Sequence, residues 1–166
     1  MSNAERFRQL FLGSSIAHGH TELGPRGRNG KQEAKSRVRQ GALDNDMIQQ
    51  HLDGTLGVGA IPIDVDNLCS FGVIDIDTYP LDLVALNKKL LKLKMPLTIC
   101  RSKSGGAHLY VFLKERTEAT LIREALEEMA SILGHASAEI FPKQTTIQVD
   151  RGETGNFINL PYFDHS

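Results

Sequence analysis

From Phe71 to Phe141, short apolar β-branched runs alternate with stretches of helical periodicity in one definite order, and that order restricts the possible folds more than any other feature of the chain. Phe71 to Asp77 reads as a buried strand. Leu81 to Lys94 reads as a helix with Leu83, Leu86, Leu90 and Leu93 on one face, ended by Pro96. Leu97 to Arg101 is a second strand, Ser104-Gly105-Gly106 a turn, and Ala107 to Leu113 a third strand, so a hairpin is implied. Thr117 is a plausible N-cap for a helix through Leu133 with Gly134 as its C-terminal cap, and Ala138 to Phe141 forms a fourth strand.

The order β-α-β-β-α-β is the split βαβ unit, an α+β arrangement of the ferredoxin-like or RNA-recognition-motif-like kind. Right-handed crossovers give its sheet the order 4-1-3-2. The first strand then lies between the third and fourth, antiparallel to both. The end of the first strand, Asp75-Ile76-Asp77, consequently meets the starts of the third at His108 and of the fourth at Glu139.

Asp75 and Asp77, one residue apart in a strand, leave the same face with Cα atoms about 6.5 to 7 Å apart. Two carboxylates side by side at the end of an apolar strand require protonation or a cation, and hard oxygen ligands suit Mg²⁺ or Mn²⁺. Glu139 is a third acid for a two-ion site, in which paired ions stabilise the attacking and leaving oxygens of a phosphoryl displacement. Asp-x-Asp alone is also compatible with solvated strand-end aspartates. Arg101-Ser102-Lys103-Ser104-Gly105-Gly106-Ala107-His108 sets two hydroxyls, two cations, two glycines and an imidazole beside these acids. Such a segment suits a triphosphate, whose oxygens backbone N–H groups and cations neutralise. A hairpin turn accounts for its Ser and Gly, and less well for a His at that strand position.

The rest of the chain constrains partners. Its 166 residues predict one domain, with residues 1–60 an N-terminal α/β portion and 61–163 the core just described. Net charge is −1, but residues 1–40 hold eight Lys/Arg against three Asp/Glu, while Asp44 to Asp82 holds eight aspartates and no Lys or Arg. Segment 18–41 reads as a mobile basic loop in which Arg26, Arg28, Lys31, Lys35, Arg37 and Arg39 could contact phosphates. His18-Gly19-His20 lies in it, outside the strand pattern. Phe7 to Leu12 looks helical, Asp44 to Leu52 a short capped helix, and Ser2-Asn3-Ala4 is set aside as an expression remnant. With aromatic residues at 6%, Tyr79, Tyr110 and Phe112 read as packing rather than base-stacking platforms. Two cysteines, Cys69 and Cys100, build neither a disulfide framework nor a four-cysteine zinc site. No apolar run approaches the roughly 20 residues of a membrane span. These points predict a soluble, cytoplasmic protein.

With Phe71-Gly-Val-Ile-Asp75-Ile-Asp77, then Arg101-Ser-Lys-Ser-Gly-Gly-Ala-His108, then Glu139-Ile-Phe-Pro-Lys-Gln144, the chain resembles the archaeo-eukaryotic primase superfamily of primase-polymerases. Its look is closest to the primases of bacterial conflict systems, mobile elements and phages, a similarity that Gly155-Asn-Phe-Ile-Asn-Leu-Pro161 extends over roughly residues 50–163. The resemblance implies a DNA-directed nucleotidyltransferase in replication or defence of a mobile element. Asp75, Asp77 and Glu139 would be catalytic and hold two Mg²⁺ or Mn²⁺ ions, with Asp150 the rival for the third place. Arg101, Ser102, Lys103, Ser104, Gly106, His108, Lys143, Gln144 and Asn156 would bind the NTP or dNTP, and single-stranded or primed DNA would be the template. A helicase or accessory priming domain in a longer chain or separate gene would complete the system. Two other readings share the fold: a rolling-circle replication nuclease, which needs a strand-borne histidine pair and a tyrosine nucleophile, and a non-catalytic single-stranded nucleic-acid-binding module with aromatic residues on its central strands.

Overall fold

A computed structural model describes residues 1–28 and 32–165 and is a mixed α+β fold of two antiparallel four-stranded sheets and four helices. The second sheet is built from β4 (Leu68–Ile76), β5 (Thr98–Arg101), β6 (Ala107–Glu118) and β7 (Glu139–Phe141), in the order β5-β6-β4-β7. Helices α3 (Leu83–Lys92) and α4 (Ala119–Leu133) make its two crossovers. Strand β4 is apolar on both faces because both are covered. Ile74 and Ile76 pack with Leu109, Leu86, Leu90, Ile122 and Leu126 on the helix side. Phe71 and Val73 pack with Tyr110, Phe11, Ile48 and Leu52 on the other. Each such side chain contributes about 1.5–3 kcal/mol by leaving water, which is why this part of the pattern is so regular.

Local signals explain the helix limits. Asp82 caps α3 by accepting from the Ala85 N–H at 2.9 Å. Helix α4 buries Ala119, Ile122, Leu126, Ala130 and Leu133 as one stripe, and Gly134 ends it in the left-handed region at φ 85°. Thr117 is not its cap. It lies in β6, which continues to Glu118, and its hydroxyl donates to Glu115 O, so the helix begins without a side-chain cap.

The first sheet contains β1 (Ala17–Arg26), β2 (Gln32–Gln40), β3 (Gly57–Ala60) and β8 (Ile158–Asn159), in the order β2-β1-β3-β8. The segment expected to be a basic loop is therefore a hairpin, with His18 opposite Arg39, His20 opposite Arg37 and Glu22 opposite Lys35. Its polar residues occupy both faces and hide the period-two signal. The described side chains of β2 are exposed, and a charged edge strand also resists pairing with other chains. Helix α1 (Asn3–Leu10) starts earlier than expected, because Ser2 and Glu5 form a capping box and Ala4 is buried. Helix α2 (Asn45–Leu52) is capped by Asp44.

Buried His51 joins α2 to β3 and to the segment after β8: its Nδ1 accepts from the Val58 N–H at 3.2 Å and its Nε2 faces Pro161 O at 2.9 Å. Burial holds its pKa below the ordinary imidazole value, which favours the neutral form that this pair of bonds needs. Strand β8 then returns to pair Gly59 with Asn159 and Ala60 with Ile158. Both cysteines are free thiols, and among the described residues no helix is long and apolar enough to cross a membrane.

Candidate active site

The antiparallel ladder sets Asp75 of β4 directly opposite His108 of β6 on one side and Glu139 of β7 on the other, so the three side chains leave one face of the sheet. Asp75 is the most constrained of them. Its Oδ1 is buried, accepts no hydrogen bond and lies 3.4 Å from His108 Nε2. Burial, then the nearby Asp77 and Glu139 carboxylates, push its pKa up to about 6, against the opposing pull of Lys143. Burial likewise lowers the His108 pKa, which leaves the imidazole neutral near pH 7. His108 Nδ1 lies 3.1 Å from the Tyr110 hydroxyl, which reaches Asn159 O at 3.4 Å. A buried carboxylate oxygen without a donor, flanked by two further acids, is chemically suited to a hard cation.

The segment after β5 turns tightly beside these acids. Gly105 N–H donates to Ser102 O and Ser102 N–H to Gly106 O, both at 3.0 Å. A Cβ on Gly106 would come within 2.1 Å of Ile76 O, so only glycine lets the turn lie this close to the end of β4. Asp75, Asp77, His108 and Arg101 to Ser104 line a cleft of about 220 Å³ together with Ile158, Asn159 and Leu160. Arg101, Lys103 and Ser104 are exposed, whereas Ser102 is buried with its hydroxyl 3.2 Å from that of Ser104. Hydroxyls, two cations and a neutral imidazole facing two acids can hold a polyphosphate and the cations that accompany it.

Other expected residues stand apart from this cleft. Gly106 is buried against β4 rather than lining it, and the Gly105 amide is already used inside the turn. Glu139 adjoins Asp75 in the ladder, but its carboxylate pairs with Lys143 Nζ at 3.0 Å. Gln144 and Asn156 hydrogen-bond each other, and Gln144 Oε1 is a second buried oxygen without a partner. Asp150 is exposed in a short 3-10 turn, Val149–Arg151, and is not among the charges that act on Asp75. Among the described residues, no group of three or more His, Cys, Asp or Glu side chains is placed to hold a metal ion. The pairing of Glu139 with Lys143 fits that finding.

On the hairpin, Arg37 and Arg39 both pair with Glu22, whose carboxyl they hold below its ordinary pKa. Lys35 is exposed two residues before Arg37, Arg26 ends β1, and Arg28 is exposed in the turn. Lys31 lies outside the described residues. His18 and His20 do lie on a strand, contrary to the sequence reading, but in the first sheet and not beside the acids. There His18 Nδ1 bonds Gly41 O at 2.7 Å.

Three participants escaped the sequence reading. Tyr110 follows His108 by two strand positions, so the period-two pattern could have placed it on the same face. Asn159 reaches the cleft through the pairing of β8 with β3, which no local pattern announces. Tyr79, two residues past Asp77, places its hydroxyl 3.0 Å from Asp77 Oδ1 and 2.6 Å from Ser104 Oγ.

Compared with known proteins, residues 20–166 match the family model described as the archaeo-eukaryotic primase domain of the TOTE conflict system. No curated protein matches the chain.

Proposed function

Because the chain belongs to the archaeo-eukaryotic primase domain family of TOTE conflict systems, a primase-type nucleotidyltransferase family, we propose that it extends a nucleic-acid strand on a DNA template by transferring nucleotidyl groups from dNTP or NTP. The observation that carries this reading is Asp75. Its buried carboxylate oxygen, which accepts no hydrogen bond, belongs to a residue lining the same cleft as Ser102, Lys103 and Ser104. In this reading the second sheet and its crossover helices are an RNA-recognition-motif-like unit, and the whole chain is one catalytic domain.

Asp75, Asp77 and Glu139 would hold Mg²⁺ or Mn²⁺, with Glu139 first leaving Lys143. Bound there, such ions would supply charge neutralisation at the reacting phosphate oxygens. The chain's own residues bind and orient the substrate. Arg101 and Lys103 neutralise the triphosphate while Ser102, Ser104 and neutral His108 fix it by hydrogen bonds. The strand's 3′-hydroxyl oxygen, giving up its proton to solvent water, then bonds to the α-phosphorus as the bond from that phosphorus to the bridging oxygen breaks and pyrophosphate departs. Lys143, Gln144 and Asn156 stand outside the cleft lining and would serve the nucleotide after a rearrangement, which for Lys143 means leaving Glu139. Arg26, Arg28, Lys31, Lys35, Arg37 and Arg39 supply the template's phosphate contacts, and a helicase or accessory priming module would act beside this domain.

The test is extension of a primed single-stranded template with dNTPs or NTPs in Mg²⁺ or Mn²⁺. Replacing Asp75 and Asp77 together by Ala should lower incorporation by at least about a hundredfold while template binding persists. Incorporation that survives the double substitution overturns the assignment.

A further inference from the structure

We infer that Tyr79 is a positioning residue of this site, whose hydroxyl ties the Asp77 carboxylate to the Ser102–Ser104 hydroxyl pair; the inference rests on the nucleotidyl-transfer reading and names a residue that it does not use. Asp77 lies just past the end of β4 and is exposed, so no ladder neighbour orients its side chain. Among the described residues its carboxylate hydrogen-bonds only to two hydroxyls, Tyr79 at 3.0 Å and Ser104 at 3.5 Å. Tyr79 and Ser104 are 2.6 Å apart, and Ser102 lies 3.2 Å beyond Ser104.

Tyr79 is placed to donate to Ser104 Oγ and to Asp77 Oδ1, Ser104 in turn donates to Asp77 Oδ1, and the Ser102–Ser104 contact adds the next link, so the hydroxyl protons run toward the carboxylate. The relay ends on the charged group, where a hydrogen bond is strongest. The Tyr79 ring also passes over the turn, 4.0 Å from where a Cβ on Gly105 would stand. Its side chain is 52% exposed, so it contributes little to the core. One tyrosine therefore connects the strand end carrying the acids with a loop 25 residues further along, and it limits the rotamers open to Asp77.

The experiment compares the wild-type chain with Tyr79→Phe, which removes the hydroxyl and keeps the ring. Mn²⁺ binding is followed by electron paramagnetic resonance without nucleotide, together with the metal half-saturation of primer extension and the thermal unfolding midpoint. Weakening of Mn²⁺ binding and of half-saturation by about tenfold, the size expected for one hydrogen bond to a charged group, supports the inference, provided that the unfolding midpoint is unchanged and KM for dNTP at saturating metal stays within about twofold. Adding Ser104→Ala to Tyr79→Phe should then cost less than the two single losses combined, because both act through one relay. Unaltered Mn²⁺ binding in Tyr79→Phe overturns the inference, as does a lowered unfolding midpoint that accounts for the loss. Asp75→Ala/Asp77→Ala is run in parallel. If wild-type incorporation does not depend on those two acids, the nucleotidyl-transfer reading itself has failed; if it does and Tyr79→Phe behaves as wild type, only the role of Tyr79 has failed.

Discussion

Replacing Asp75 by Asn should make the metal-free protein more stable at neutral pH while abolishing its chemistry. The carboxyl's pKa rises from the ordinary 3.8 to about 6 in the folded chain, with burial as the leading cause. A group whose pKa is raised on folding favours the folded state when protonated, and that contribution is lost as pH climbs through the folded value. Asp75 therefore costs nothing below about pH 4 and its full penalty above about pH 6. The shift corresponds to roughly 3 kcal/mol, and because only 13% of the side chain is exposed, solvent screening removes little of it. At about 2–4 °C per kcal/mol for a chain of this size, Asp75→Asn should unfold some 6–12 °C above the wild type at pH 7.5. The two proteins should converge near pH 4. Taking the difference between them cancels His51, whose lowered pKa acts with the opposite sign in both. Thermal unfolding with a chelator at half-unit pH steps measures the curve. Adding Mn²⁺ should close the gap by stabilising the wild type alone. A difference that is flat with pH would refute the electrostatic account of this carboxylate.

Other consequences can be measured directly. Glu22→Gln frees Arg37 and Arg39 from their shared acid and should tighten single-stranded DNA binding about two- to fivefold at low salt, by fluorescence anisotropy. Replacing both arginines by Ala should instead weaken binding and flatten its salt dependence by roughly 1.4 logarithmic units per decade. Gly106→Ala would drive a methyl group onto Ile76 O and should lower stability by about 2–4 kcal/mol in urea, with loss of incorporation. His51→Ala should cost about 2–4 kcal/mol by orphaning the Val58 N–H and Pro161 O, and should speed amide exchange in β8.

The half of the fold around β4 was legible because its strands and helices bury contiguous apolar surface, and their order leaves few topologies open. That is why the opposition of Asp75 to His108 and Glu139 could be expected from spacing alone. The β1–β2 hairpin carries no such signal: His18, His20, Glu22, Lys35, Arg37 and Arg39 are polar positions whose strand conformation is set by partners across the sheet. Thr117 misled for a related reason, since a good capping residue was overridden by β6 running on to pair Thr117 with Cys69. The contacts of Asn159 and Tyr79 depend on how distant segments meet, so one-dimensional pattern could not supply them. Lys143 shows the same limit, because its four-residue spacing from Glu139 looks incidental until the two charges are seen to meet.

The pairing of β8 with β3 has a temporal side. Asn159 and Leu160 line the cleft, yet they are translated some hundred positions after the strand they dock on. Asp75, Asp77 and the Ser102–Ser104 turn can be in place on a nascent chain that still lacks these residues. A nascent chain that stalls before residue 158 would therefore carry the second sheet with this part of the cleft lining missing.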